Sequence, residues 1–184
     1  ISNELEANKI NDAVTGYVNE KKSDFVPQSL LTNGKETHGN IFNNKAREFQ
    51  ILKNLIINEI DKYKIKLSNS KEGFIKKFPK NFELNGWIIQ MDKGGSLMPH
   101  IHKEGWISGS IYFKLPKKIK PNEGNIVFTQ TGPHYPNIDN SKEVILDIAE
   151  GDICLFPSST FHYTVPYSSE EQRICLAFDL NNKD

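Results

Sequence analysis

The chain has 184 residues and a mass of 21.0 kDa, enough for one domain with a substantial core, and its 23 basic and 23 acidic residues balance. That balance argues against a nucleic-acid-binding protein, because such proteins usually carry a basic excess on one face. The apolar runs are too short to span a membrane and no secretory leader is visible, so we expect a cytoplasmic protein with no membrane segment.

The first third of the chain is predicted to be helical. Apolar residues recur at helical spacing from Leu5 to Val18, with Ser2 as the N-cap, and a second, longer helix is expected over 46–67. The segments 28–44 and 68–81 are rich in small polar residues and glycine, so both are predicted to be loops. We therefore expect residues 1–81 to form helices and loops that pack on a core.

After residue 81 the pattern changes to short runs of β-branched and aromatic residues separated by polar turns. Seven strands are predicted, over 82–91, 106–115, 124–130, 144–148, 152–156, 161–167 and 173–180. Gly94 and Gly95 are predicted to form a turn after the first of them. This number of short strands indicates a mainly β jelly roll over 82–184, buttressed by the two helices within one domain overall.

Three of the five histidines lie in a pattern that indicates a metal site. His100 and His102 are two residues apart, so in an extended segment both imidazoles lie on one face, about 6.6 Å apart at Cα. His162, on a later strand, can supply a third ligand. Together the three side chains could fix one metal ion.

Two further groups of side chains are predicted to lie near this metal. If residues 168–171 form a hairpin loop, Thr164 and Arg173 share the face of His162. The planar guanidinium of Arg173 could hold a carboxylate in two hydrogen bonds. By the same alternation, Ser108 and Tyr112 lie on one face of their strand.

Together, these residues resemble the 2-oxoglutarate- and Fe(II)-dependent oxygenases, and in particular a branch often found attached to tetratricopeptide repeats. The resemblance is carried by Gly86-Trp87, Pro99 to His102, Gly105 to Gly109 with Tyr112, Gly151-Asp152, Phe156-Pro157, His162 to Pro166, and Arg173. It implies the double-stranded β-helix form of the jelly roll. Because the chain begins with Ile1 rather than methionine, we expect a fragment or processed form, with an upstream repeat domain in a longer chain.

The resemblance also implies roles for individual residues. It implies Fe(II) bound by His100, His102 and His162, and 2-oxoglutarate bound by Arg173, Ser108, Tyr112 and Thr164. Such a site needs three protein ligands and open metal positions for the cosubstrate and O2. The enzyme would then hydroxylate a small-molecule or peptide substrate, which the sequence does not identify.

Two residues depart from the pattern of these oxygenases. Asp or Glu usually stands at the position of His102, so either three histidines bind the metal or Glu104 or Asp152 supplies a carboxylate. A neutral imidazole contributes one less negative charge, which should weaken Fe(II) binding. Met91 stands where prolyl-hydroxylase relatives often place a tyrosine that binds the cosubstrate.

Two other functions are compatible with the same residues. One is a cupin-type metal enzyme that uses no keto acid, for which Arg173→Ala would be nearly harmless. The other is a non-catalytic jelly-roll module that recognises a sugar or peptide through Trp87 and Trp106.

Overall fold

A computed structural model describes residues 4–136 and 142–184. In it, helix α1 spans Glu4–Glu20, α2 spans Arg47–Lys66 and α3 spans Gly73–Lys76, with 3-10 turns at Lys22–Asp24 and Ile41–Asn43. The strands are β1 Phe25–Val26, β2 Leu31–Thr37, β3 Phe82–His100, β4 Gly105–Lys114, β5 Ile126–Thr129, β6 Val144–Leu146, β7 Ile153–Pro157, β8 Phe161–Thr164 and β9 Arg173–Asn182.

The two long helices are amphipathic and pack against one another and the sheet. Their buried residues recur at steps of three and four, which puts them on one stripe of each helix. These residues are Ile10, Val14 and Val18 in α1, and Phe49, Leu52, Ile56 and Ile60 in α2. They join apolar residues of β3, β4 and β9 in one core cluster. Both helices lie where the sequence predicted them and pack on the sheet, whereas the predicted N-cap, Ser2, lies outside the described residues.

We expect Ile56→Ala to lower the free energy of unfolding by roughly 2–5 kcal/mol, because Ile56 is fully buried and its truncation leaves a cavity in the helix–sheet core. Ile65 lies in the same helix with 72% of its surface exposed, so Ile65→Ala should change stability by no more than about 0.5 kcal/mol. Urea denaturation of the two variants measures the difference. Similar losses in both would contradict the packing of α2.

The strands form an antiparallel sheet in the order β6-β5-β8-β3-β9-β4-β7, and β2 joins it at β3. The 19-residue strand β3 pairs with β9 over its first half and with β8 at its last residues. One strand can pair with both because it bends between them. The sheet therefore curls into the predicted jelly roll.

Three local predictions about the strands are wrong. The expected loop over 28–44 contains β2, whose polar residues pair with β3 from Leu31↔Leu97 to Glu36↔Ile89. The expected turn at Gly94 lies inside β3, where a positive φ of 76° and a hydrogen bond from the Gly94 amide to Tyr167 O bend the strand instead. Finally, β8 and β9 do not form the expected hairpin, because each pairs with a different part of β3: β9 with residues 82–91 and β8 with residues 97–100.

The two faces of β9 point into different cores. Ile174, Leu176, Phe178 and Leu180 belong to the cluster beneath the helices. Cys175 and Ala177 belong to a second cluster inside the curl of the sheet. Because these inward residues are small, they leave space in which a site can form.

Cys154 and Cys175 are both buried and free. Within the described residues, no helix is both long and apolar enough to cross a membrane. The cytoplasmic location and the upstream repeat domain stay predictions.

Candidate metal centre

The three histidines of the sequence motif meet at the open end of the curled sheet. His100 is the last residue of β3 and lies opposite His162 of β8 in the strand register, while His102 follows in the next turn. The ring centroids of His100 and His162 are 4.3 Å apart, and each lies 5.1 Å from that of His102. One ligand atom from each of the three lies within 4.8 Å of the others.

Hydrogen bonds fix the same tautomer in all three rings. His100 Nδ1 lies 2.8 Å from Met98 O, and His162 Nδ1 lies 3.0 Å from Thr160 O. His102 Nδ1 lies 2.6 Å from Asp179 Oδ1. Carbonyl and carboxylate oxygens only accept hydrogen bonds, so each Nδ1 carries a proton, and in the neutral ring each Nε2 presents a lone pair.

These lone pairs face one another, which is the arrangement that a cation requires. His100 Nε2 and His102 Nε2 are 3.1 Å apart, and in this tautomer neither can donate a hydrogen bond to the other. Two imidazole nitrogens bound at right angles, each about 2.1 Å from one metal ion, would be about 3.0 Å apart. The donor set therefore fits a metal with three protein ligands on one side and open positions on the other.

Burial keeps the imidazoles of His100 and His162 neutral. It lowers the pKa of His162 to about 3, with the neighbouring His100 acting in the same direction. Burial also lowers the pKa of His100, and the carbonyl of Met98 offsets this only in part. Near neutral pH both rings are thus in the form that binds metals.

The triad borders a cavity of about 310 Å³ inside the curl of the sheet. This volume lies at the small end of the range for ligand pockets, roughly 300–1,000 Å³. The walls combine β3, β4, β8 and β9 and include Trp87, Met91, Ser110, Tyr112, Thr164, Arg173, Cys175, Ala177 and Asp179. The cavity can therefore hold a small anionic molecule next to the metal ligands.

Arg173 supplies a buried positive charge to this cavity. It is 2% exposed; its Nε donates to Gly124 O at 3.3 Å and its guanidinium lies 5.2 Å from the ring centroid of Tyr112. No carboxylate of the described residues forms an ion pair with it. A buried, unpaired guanidinium is costly, so this residue favours binding of an anion from outside the chain.

Two of the other predicted cosubstrate residues also line the cavity. The hydroxyl groups of Tyr112 and Ser110 are 3.1 Å apart, and burial raises the pKa of Tyr112, so the phenol remains a hydrogen-bond donor. Thr164 lies in the wall formed by β8. Met91, at the position where a tyrosine was considered, is fully buried and also reaches the cavity.

Ser108 lies elsewhere than the sequence prediction placed it. Its hydroxyl is fully buried and lies 2.6 Å from Asp179 Oδ1, beneath His102. Ser110, one step further along the same face, occupies the cavity wall instead. Alternation identifies the face of a strand on which a residue lies, but not the position along the strand at which that face meets a pocket. The sequence therefore did not distinguish Ser108 from Ser110.

Asp179 is the residue of this site that the sequence analysis missed. Neither carboxylate considered there belongs to the metal-ligand cluster: Glu104 is exposed, and Asp152 accepts a hydrogen bond from the amide of Ala149. Asp179 contacts His102 without joining the cluster. The sequence did contain an indication of Asp179, because this residue continues the alternation of Arg173 and Cys175 along β9.

A larger groove, of about 1,040 Å³, lies on the opposite side of the sheet, between the helices and β4. Its walls mix apolar with amide and charged side chains of α1 and α2 and continue onto β4 and the turn at residues 150–153. Among the described residues, the three histidines are the only cluster found that could hold a metal, and they are not part of this groove. The candidate metal centre therefore lies at the smaller cavity.

The family model described as "Putative 2OG-Fe(II) oxygenase" matches residues 85–179, which include every residue of the metal centre and Arg173. Among curated proteins, no sequence matches this chain.

Three solved structures illustrate the shared fold. A Pseudomonas putida prolyl-4-hydroxylase aligns with a TM-score of 0.63 at 11% identity, over 97% of this chain and 88% of that one. HygX from Streptomyces hygroscopicus, with nickel and 2-oxoglutarate bound, gives 0.58 at 12% identity, over 94% and 79%. A Trichoplax adhaerens prolyl hydroxylase in complex with a hypoxia-inducible-factor peptide gives 0.58 at 17% identity, over 95% and 79%.

Proposed function

The chain belongs to the 2OG-Fe(II) oxygenase family, and from this premise we propose that it is a hydroxylase in which His100, His102 and His162 hold the Fe(II) and Arg173 binds the 2-oxoglutarate. The observation that supports this assignment best is the convergence of three unprotonated Nε2 atoms beside a cavity with a buried, unpaired guanidinium. The Nε2 atoms favour binding of a cation, and the guanidinium favours binding of an anion.

The three histidines would occupy one side of the metal and leave the other side open toward the cavity. Together with O2 from solution, bound Fe(II) and 2-oxoglutarate would supply the oxidising chemistry for hydroxylation of a C–H bond. One oxygen atom of O2 would go to the substrate and the other to succinate, while 2-oxoglutarate loses carbon dioxide. The Nδ1 hydrogen bonds hold each ring in its orientation, so the ligand set needs little rearrangement on binding.

Arg173 would bind the distal carboxylate of 2-oxoglutarate through its planar guanidinium. Its Nε hydrogen bond to Gly124 O fixes the plane of that group, and the ring of Tyr112 lies beside it. The hydroxyl groups of Tyr112, Ser110 and Thr164 would donate to the carboxylate oxygens. Cys175 and Ala177 complete the wall without filling it.

The substrate would enter where the cavity opens past His102. Gln28, Leu30 and Glu36, from the segment around β2, line the cavity, as do Lys103 and Glu104, which follow His102 in the chain. Trp87 lies 5.6 Å from His102, between ring centroids, and offers an apolar surface beside the metal. A mixed rim of this kind suits a small-molecule or peptide substrate with both polar and apolar groups.

The proposal predicts that anaerobic addition of Fe(II) and 2-oxoglutarate together produces a weak visible charge-transfer band, and that neither addition alone does so. The band requires the keto acid to chelate the metal, so it reports both halves of the site at once. Absorption spectroscopy during a titration of each component measures it.

Two other outcomes would each contradict this function. Metal binding without any band or any binding of 2-oxoglutarate would favour a metal enzyme that uses no keto acid. No metal binding at all would favour a non-catalytic binding module.

A further inference from the structure

The three imidazoles of the metal centre differ in the group that accepts a hydrogen bond from Nδ1. His100 and His162 each donate Nδ1–H to a neutral backbone carbonyl. His102 donates instead to the carboxylate of Asp179, at 2.6 Å. Of the three proposed ligands, His102 alone thus donates a hydrogen bond to a negatively charged group.

The Asp179 carboxylate is itself held in a defined place. Ser108 Oγ lies 2.6 Å from Asp179 Oδ1 and 2.8 Å from Ser158 Oγ. A hydroxyl has one proton and the carboxylate can only accept, so Ser158 donates to Ser108 and Ser108 donates to Asp179. A side chain on Gly105 would collide with Ser158 and press on Asp179, so the glycine leaves room for this chain of hydrogen bonds.

No lysine or arginine among the described residues forms an ion pair with Asp179. The residue is 9% exposed, so water screens its charge poorly. Its two Oδ1 hydrogen bonds go to His102 and to a neutral hydroxyl. The negative charge is therefore directed at the imidazole ring and at whatever that ring binds.

We infer that Asp179 supplies, through the ring of His102, the negative charge that a carboxylate ligand would otherwise give the Fe(II). This inference rests on the proposed metal site and assigns Asp179 as a positioning residue that acts on the metal through His102. A hydrogen bond to a carboxylate raises the basicity of a ligating imidazole and fixes its orientation. The pair His102–Asp179 then serves the metal as one anionic ligand.

The first test is Asp179→Asn, which keeps the shape and an acceptor oxygen but removes the charge. We expect anaerobic affinity for Fe(II), measured by competition with a chromogenic chelator, to fall by roughly 10- to 100-fold. Asp152→Asn is the matched control, because it also removes one carboxylate, at an exposed turn away from the histidines. It should leave the affinity within about twofold of the wild type.

A second test separates charge from structural support. His102→Asp places a carboxylate directly at the metal, next to Asp179, and two neighbouring carboxylates repel one another. In that background Asp179→Asn should strengthen Fe(II) binding, the opposite of its effect in the wild type. If Asp179 only held residue 102 in place and its charge had no effect, Asp179→Asn would weaken Fe(II) binding in both backgrounds.

Co(II) absorption provides a readout that does not depend on His102→Asp folding. Asp179→Asn should keep the coordination number of bound Co(II) while the metal binds more weakly. A lower coordination number would mean that His102 has left the metal, which would overturn the charge role. Unchanged affinity in Asp179→Asn would overturn it as well.

The same experiments distinguish failure of this inference from failure of the proposed function. If the wild type binds Fe(II) and His162→Ala does not, the metal site stands whatever Asp179→Asn shows. If His162→Ala binds Fe(II) as tightly as the wild type, the assignment of the metal site is wrong, and the role inferred for Asp179 is wrong as well.

Discussion

Replacing His162 with alanine is expected to eliminate Fe(II) binding at micromolar concentrations and to eliminate 2-oxoglutarate turnover with it. Two nitrogen ligands cannot form the three-ligand face that such a site requires. Loss of a metal ligand should weaken Fe(II) binding by more than the roughly 10- to 100-fold expected for loss of a residue that hydrogen-bonds to a ligand. Anaerobic isothermal titration with Fe(II), followed by an assay for succinate, measures both effects.

His38→Ala is the matched control for this variant, because His38 is exposed and does not line the cavity. It should bind Fe(II) like the wild type. Circular dichroism of both variants checks that they fold, since His162 is buried and its truncation leaves a small void in β8. Full Fe(II) affinity in a folded His162→Ala protein would contradict the assignment of the metal site.

Arg173→Ala should leave Fe(II) binding intact and weaken 2-oxoglutarate binding on the order of 100- to 1,000-fold. Breaking a buried ion pair by removing one partner costs roughly 3–5 kcal/mol, because the other charge is left without compensation. Here the uncompensated group would be the distal carboxylate of the cosubstrate. The charge-transfer band at a fixed, limiting concentration of 2-oxoglutarate should therefore disappear.

The chain offers an exact comparison for this substitution, since Arg47 is its only other arginine and lies exposed in α2. Arg47→Ala should bind 2-oxoglutarate normally. Arg173→Lys should fall between Arg173→Ala and the wild type, because an ammonium group keeps the charge but cannot form two parallel hydrogen bonds. If Arg173→Ala binds 2-oxoglutarate with unchanged affinity, the keto acid does not use this cavity as proposed.

The residues of the candidate metal centre could be predicted from sequence because they follow strand alternation and a recognisable spacing. His100 and His102 share a face by alternation, and His162 and Arg173 lie at recognisable distances along the chain. Asp179 obeys the same alternation but was not considered, since an aspartate near the end of a strand carries no motif of its own. Its importance becomes visible only when His102 is seen to lie within 2.6 Å of it.

The errors in the fold have a common physical cause. The residues of β2 are mostly polar, and they form a strand because β3 provides an edge to pair with, which local sequence does not reveal. Likewise, β8 and β9 are consecutive in the chain and were expected to pair. Each instead pairs with a different part of the long strand β3, because strand pairing in a sheet is decided by tertiary packing rather than by sequence distance.

The position of β3 also sets how this protein must fold. Its neighbours β8 and β9 come from the last quarter of the chain, so the centre of the sheet closes only after long stretches of backbone have lost their freedom. Topologies dominated by such distant pairings fold in roughly milliseconds to seconds, far more slowly than helical bundles. The pairing of His100 with His162 is one of these late contacts, and the unfolded chain therefore has no preformed place for iron.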